Sequence, residues 1–190
     1  LQALTSQEPP HFSKDHVNIL VLGRILRTKN VDRAIRIHAR FKTAVPRSQL
    51  HIVGPYVDVN PAELHSLIAQ LHVEDSVFVH EPTPSPEVYL ANASILLLTS
   101  TLEGLPSVVM EALACGTPVV STDLPGSVEI ARRVSGVKCL CYTASDDEWV
   151  RGISDALQCS RAEVMSSFQK SDFVVEKYAD LIMQVWNEAA

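Results

Sequence analysis

The chain has 190 residues, 46% of them hydrophobic and 20% charged, with a formal net charge of −6. That length holds one domain with a substantial core and does not require two, and the composition is that of an ordinary cytosolic globular protein. A negative balance without a long basic run argues against nucleic-acid binding, whose affinity comes largely from Lys and Arg on phosphates, and no apolar run approaches the roughly 20 residues that span a bilayer.

Residues 1–16 read as a polar lead-in or interdomain linker, because they lack the basic start and apolar core of a signal peptide. Val17 to Leu22 is a short β-branched apolar run that stops at Gly23, the pattern of a buried strand. Val31 to Ala44 places apolar residues at 31, 34, 35, 37 and 41 among Arg and Lys, a helical stripe closed by Pro46. Leu50 to Val53 is the second strand, ended by Gly54-Pro55. Pro61 to Leu71 opens with proline in a first-turn position and is helical. The alternation continues with a strand at Ser76–Val79, a helix at Pro86–Ala91, a strand at Ser94–Thr99 and a helix at Ser107–Cys115. Pro118–Ser121 is a strand, Ser127–Arg133 a helix, and Val137–Cys141 the last strand; helices at Asp146–Gln158 and Asp172–Ala189 finish the chain. Short apolar strands alternating with amphipathic helices predict a Rossmann-like three-layer α/β domain over residues 17–170, with a parallel sheet of about six strands covered on both faces. Residues 171–190 are expected as a C-terminal helix, with Phe173, Val174, Tyr178, Leu181, Ile182, Val185 and Trp186 on its apolar face.

The four cysteines, Cys115, Cys139, Cys141 and Cys159, form no Cys-x-x-Cys pair and read as buried reduced thiols; Cys139 and Cys141 would share one side of a strand. The seven histidines show no ligand spacing, so no metal site is expected.

In a parallel sheet of this kind ligands bind beyond the carboxyl ends of the strands. Three loops there are unusual: Gly23 to Asn30, Gly54 to Asn60 and Thr101 to Ser107. The first offers a flexible glycine, the fixed cation of Arg24 and a second cation at Lys29, ahead of a helix N-terminus with free amides; together these could seat a diphosphate. Arg24, Arg27 and Lys29 are equally readable as solvated surface charges, and the loop alone leaves both open. It is not a dinucleotide fingerprint, since no Gly-x-Gly-x-x-Gly follows a strand. In the third loop Glu103 precedes a helix N-terminus, Gly104 permits close backbone approach, and Ser107 is a natural N-cap. Glu111 falls one residue past the capping-box position, so capping does not account for it. A carboxylate accepts from two hydroxyls at once, which suits the vicinal diols of a sugar or ribose. Read singly, Glu103 is as well explained by the helix dipole and Glu111 as an exposed helical residue.

The two glutamates stand in Glu103-Gly104-Leu105-Pro106-Ser107-Val108-Val109-Met110-Glu111-Ala112-Leu113-Ala114-Cys115-Gly116-Thr117-Pro118-Val119-Val120. This resembles the hallmark of the large group of retaining glycosyltransferases with the two-domain GT-B fold: a Glu, seven residues, then a second Glu leading into Ala-(Met or Leu)-Ala-x-Gly-x-Pro-Val-Val. Gly23-Arg24 followed by Lys29 looks like the family's phosphate loop, and Asp123 to Ile130 is similar to the turn that follows. The resemblance runs from about His16 to Leu157, with the elements in the right order, and makes the chain look like one half of a GT-B enzyme. It implies that Arg24 and Lys29 neutralise the diphosphate of a nucleotide sugar such as a UDP- or GDP-sugar, with no metal and no further cofactor. By the same resemblance Glu103 binds the transferred sugar, Glu111 the ribose, backbone amides from Gly104 through Leu105 and Pro106 to Ser107 approach sugar and phosphates, and the base lies near His80 and Glu81. Arg24, Lys29 and Glu103 would carry catalysis, with retention of the anomeric configuration.

Two positions depart from the family pattern. Leu105-Pro106 replaces a common Phe-Gly, which removes one backbone donor, and Asn30 stands where glycine is frequent after the Lys. A GT-B enzyme needs a second, N-terminal domain for the acceptor. The resemblance therefore implies the C-terminal, donor-binding portion of a larger cytoplasmic enzyme, inactive alone, with any membrane contact made through the other domain. The rival reading is a non-catalytic module that scaffolds a partner glycosyltransferase; retention of both glutamates speaks against it.

Overall fold

A computed structural model describes residues 8–174. Six parallel strands form one sheet: β1 (Val17–Leu22), β2 (Ser48–Val53), β3 (Val77–His80), β4 (Ile95–Leu98), β5 (Val119–Thr122) and β6 (Val137–Leu140). Their order across the sheet is β3-β2-β1-β4-β5-β6, so the chain starts in the middle, winds to one edge, returns, and winds to the other. The reversal falls between β1 and β4, where Ile19 and Leu20 pair with Ile95 and Leu96. At such a switch point the loops after the two strands leave in opposite directions and open a crevice.

Among the described residues seven α-helices cover the sheet: α1 (Val31–Ala44), α2 (Pro61–Gln70), α3 (Pro86–Asn92), α4 (Ser107–Ala114), α5 (Pro125–Ala131), α6 (Asp146–Ala156) and α7 (Arg161–Lys170). Because side chains alternate along a strand, each strand feeds two cores. Ile19, Ile95 and Leu97 pack with Ile35 and Phe41 of α1, Leu64 of α2 and Trp149 of α6. Leu20, Leu96 and Leu98 face the other way, onto Leu90 of α3, Leu113 of α4, Ile130 of α5 and Phe168 of α7. All four residues of β4 are buried, as expected for the apolar run at the centre of a doubly covered sheet.

The structure departs from the sequence expectations at several boundaries. The helix Arg161–Lys170 falls in a stretch to which the sequence pattern assigns no element. A capping box starts it: the Ser160 side chain accepts from the Glu163 amide and the Glu163 carboxylate accepts from the Ser160 amide. Arg161 then fixes it to the domain by donating to the carbonyls of Cys115 and Ala93. Helix α5 starts two residues early, at Pro125, where a missing amide hydrogen is harmless in a first turn. Strand β6 ends at Leu140, so Cys141 is exposed; of the four thiols expected to be buried only Cys115 is, and Cys139 and Cys159 are part-buried. The helix expected at Asp172–Ala189 lies, from residue 175 on, outside the described residues. None of the described helices is long and apolar enough to cross a membrane.

The lead-in docks on β2 and β3 through aromatic contacts. His11 stacks on Phe78 at 4.7 Å, and Phe12 lies over His51 at 3.9 Å and edge-on to Tyr89 at 5.6 Å. Beneath it runs a buried polar ladder: Asn18 Nδ2 donates to the Ser13 carbonyl (2.9 Å), His51 Nε2 meets Asn18 Oδ1 (3.3 Å), and His51 Nδ1 meets His80 Nε2 (3.1 Å). The network assigns the protons: with Asn18 Oδ1 accepting, His51 carries its proton on Nε2, and His80 donates to the free Nδ1. Burial, reinforced by His80, His11 and His38, pushes His51 down to about 3. On the opposite face His38, bonded to Ser76, is pushed down to about 4 by burial and the nearby Lys42.

Candidate functional site

The loops after β1 and β4 are tied together across the switch point. Gly23 turns the chain at φ 133°, in the region open mainly to glycine, and Ile25 anchors the loop by burying its side chain and exchanging backbone bonds with Pro55 and Val57. A 3₁₀ turn, Arg27–Lys29, leads to Asn30, which caps it in the left-handed conformation at φ 52° and ψ 45°. Asn is among the few non-glycine residues that adopt this conformation readily, so it serves where a glycine would. Thr99 Oγ1 donates to the carbonyls of Lys29 (3.1 Å) and Asn30 (3.0 Å), and the Thr101 amide to that of Thr28 (2.7 Å).

This stitching brings together two residues 74 apart in the chain. Lys29 Nζ lies 2.5 Å from Glu103 Oε1, with both side chains largely shielded, 22% and 14% exposed. The Ser100 hydroxyl donates to the same Oε1 at 2.6 Å. Arg24 is exposed and makes no hydrogen bond or ion pair among the described residues. Arg27 pairs instead with Glu63, outside the site.

Helix α4 opens without a cap. Pro106 occupies the N-cap position, so Ser107 is the first helical residue rather than the cap, and the first turn holds no acidic side chain. Its amides therefore keep their partial positive charge for an outside anion. The loop before it is clamped on α5: a Cβ on Gly126 would stand 2.0 Å from the Gly104 carbonyl oxygen and 2.9 Å from Pro106 Cδ.

A cleft of about 300 Å³ runs across these strand ends. Gly23 and Arg24 line it from the β1 loop, Gly54 and Pro55 from the β2 loop, Pro82 and Thr83 from the β3 loop, and Ser107, Val108 and Glu111 from α4. Gly54, at φ 145°, must be glycine here, since a Cβ would meet the Gly23 carbonyl oxygen at 2.0 Å. The lining thus includes an unpaired guanidinium, a bare helix N-terminus and an exposed carboxylate. A hollow of about 330 Å³ between α1 and α2 is slightly larger, but its charges are spent on each other, in the pairs Arg27–Glu63 and Asp32–Arg36. Among the described residues no group of three or more His, Cys, Asp or Glu is placed to hold a metal ion.

Of the residues singled out from the sequence, Gly23, Arg24, Ser107 and Glu111 line the cleft, while Lys29 and Glu103 meet in the adjoining loops. Gly104 and Leu105 are exposed at the rim, Leu105 by 53%, and Pro106 is buried beneath them. His80 sits in the aromatic cluster instead, within reach of His51 and Tyr89, and Glu81 is exposed; neither lines the cleft. The neighbouring Pro82 and Thr83 do so, along with Gly54-Pro55, whose loop the sequence marked as unusual without assigning it a role. Thr99 and Ser100 carried no readable sign, since their partners are met only in the folded chain.

Residues 5–171 match the family of glycosyl transferases group 1. An uncharacterized glycosyltransferase of Haemophilus influenzae is 29% identical over 175 residues, covering 90% of this chain and 48% of the relative. The N-acetylgalactosamine-N,N'-diacetylbacillosaminyl-diphospho-undecaprenol 4-alpha-N-acetylgalactosaminyltransferase of Campylobacter jejuni is 36% identical over 105 residues, 55% of this chain and 27% of its own. The crystal structure of Anabaena HepE in complex with UDP and glucose superposes with a TM-score of 0.75 at 18% identity, over 91% of this chain and 49% of HepE. The chain thus spans about half the length, or less, of these proteins, and matches one Rossmann-like half of a GT-B structure. By a match over nearly its whole described length, it belongs to the glycosyl transferases group 1 family.

Proposed function

We propose that this chain is the donor-binding half of a metal-independent, retaining glycosyltransferase, which moves a hexose-type sugar from a nucleoside-diphosphate sugar to a glycan, lipid or small-molecule acceptor. The observation that carries this reading is the convergence, on one cleft at the switch point, of Arg24, the uncapped N-terminus of α4 and Glu111, with Glu103 in the adjoining loop. The complex of HepE with UDP and glucose, on the same fold, supports a nucleotide sugar as the ligand.

In this reading the diphosphate lies between Arg24 and the first turn of α4. As the bond from sugar to phosphate breaks, negative charge grows on the departing diphosphate, where the guanidinium and helix amides are already aimed. Lys29 has three donors and spends one on Glu103, so it can meet a phosphate oxygen as well. These cations supply the positive charge a divalent metal would otherwise bring. Glu111 accepts from the ribose hydroxyls and Glu103 from hydroxyls of the transferred sugar. The base lies along Pro82 and Thr83. The acceptor, and transfer itself, call for the part of a longer enzyme that the relatives possess beyond the matched half.

Calorimetric titration with UDP, GDP and ADP and their glucose or mannose conjugates, with and without a chelator, tests the reading. Weak binding of one nucleotide series, unchanged by the chelator, is expected, with no glycosyl transfer by the 190-residue chain alone. Binding abolished by chelation would overturn metal independence, and binding of none of the nucleotides would favour a scaffolding role.

A further inference from the structure

Glu103 is held by one oxygen only. Lys29 Nζ and the Ser100 hydroxyl both donate to Oε1, at 2.5 and 2.6 Å. Oε2 accepts no hydrogen bond among the described residues and is not among the buried polar atoms left without a partner, so it is not sealed from solvent although the side chain is only 14% exposed. The two donors differ in kind. Lys29 is a flexible chain on a surface loop and part-exposed, free to divide its ammonium between Glu103 and an incoming anion. Ser100 is fully buried two residues past the end of β4, and Glu103 is the only acceptor found for its hydroxyl among the described residues. A short, fully buried side chain so close to a strand end has little freedom to be anywhere else.

We propose that Ser100 is a positioning residue for the donor sugar: it fixes the Glu103 carboxylate through Oε1 so that Oε2 stays aimed at a sugar hydroxyl, whatever Lys29 does when a diphosphate arrives. The proposal rests on the reading of Glu103 as the sugar-binding carboxylate. A carboxylate held by a buried donor loses little freedom on binding, whereas one held only by a lysine loses its tether when the lysine is recruited to phosphate. Ser100 itself touches no ligand.

The test uses the 190-residue chain with UDP and UDP-glucose as probes. In wild type, Glu103→Ala, Ser100→Ala and the double variant, both affinities are measured, and the gain that the glucose adds over UDP is compared. Ser100→Ala should cut that gain by about tenfold while leaving UDP affinity within about twofold, as expected for a lost hydrogen bond to a charged group. Ser100→Thr, which keeps the hydroxyl, should restore it. In the Glu103→Ala background Ser100→Ala should do nothing further to the gain, because it acts only through Glu103. A crystal structure of ligand-free Ser100→Ala should show the Glu103 carboxylate displaced from its wild-type position. An unchanged gain in Ser100→Ala, or an additive loss in the double variant, overturns the role of Ser100 while the donor-site reading stands. Equal loss of UDP and UDP-glucose overturns it in favour of a structural hydroxyl. Wild type that binds neither UDP-glucose nor any other nucleotide sugar overturns the donor-site reading and this role together.

Discussion

Two polar clusters penetrate this domain, and they are built on opposite principles. The first, Asn18–His51–His80, joins the lead-in to three strands, is roofed by Phe12 and His11, and has both ring nitrogens of His51 paired. Burial keeps His51 neutral. The second, Lys29–Glu103–Ser100, is charged, lies at the strand ends, and leaves one carboxylate oxygen unspent. The histidine cluster holds a strongly perturbed titratable group, His51, yet it is closed. A density of titratable groups does not mark the site; unspent donors and acceptors at an open strand end do.

If the closed cluster, and with it the buried His38 on the other face of the sheet, serves stability and the open cluster serves a ligand, acid should attack the buried histidines. An unfolded histidine takes a proton below about pH 6.5. His51 and His38 in the folded chain hold out until about 3 and about 4. The unfolded state therefore binds more protons between pH 6.5 and 4, and the stability these groups contribute is complete above that window and lost as pH falls through it. At pH 5 each should have cost about 2 kcal/mol, about 4 kcal/mol together. Urea unfolding at pH 7 and pH 5 measures this, and His38→Gln should remove about half of the difference. A denaturation midpoint that ignores pH would show that the histidines are less sealed than the structure has them.

The open cluster yields a smaller but more selective effect. Glu111→Ala should weaken UDP itself by about 1.5–3 kcal/mol, the worth of a hydrogen bond to a carboxylate. Glu103→Ala should spare UDP and weaken only the sugar-bearing donor, with neither substitution moving the unfolding midpoint much. Equal effects of both glutamates on UDP would show that their roles are wrongly divided. The smallest change expected is that of Thr99→Val, which removes the hydroxyl that holds the Lys29 and Asn30 carbonyls. Its loss should cost about 1 kcal/mol of stability and loosen the Lys29–Glu103 contact, seen as a weaker preference for UDP-glucose over UDP. If Thr99→Val costs nothing in either assay, the loop is held by its backbone alone.

Much of the fold is legible in the amino-acid sequence. Strands such as Val17–Leu22 and Ile95–Leu98 announce themselves as apolar runs, and the glycines and prolines between them mark where they stop. The loops that build the cleft could be picked out because they follow strands and carry charges that a turn does not need. Helix α7 was missed because its apolar face reduces to Val164 and Phe168, too sparse for a period, although the Ser160-x-x-Glu163 capping box was there to be read. Ser107 was read as a cap because serine prefers that place; Pro106, which cannot donate an amide hydrogen, takes it instead.

What the sequence by itself determined is therefore the alternation of strand and helix, the parallel sheet, and the residues offered at the strand ends, since these depend on spacing along the chain. What only the tertiary structure decided is who meets whom. The order β3-β2-β1-β4-β5-β6 sets the β1 and β4 loops side by side, and that alone joins Lys29 to Glu103 across 74 residues. The same folding draws His51 and His80 into a buried ladder and turns His80 away from the cleft, leaving Pro82 and Thr83 to line it. Spacing along the chain determines which faces are apolar. Hydrogen-bond partners are chosen by distance in space, because each buried polar group must find a donor or acceptor where the packed core leaves one.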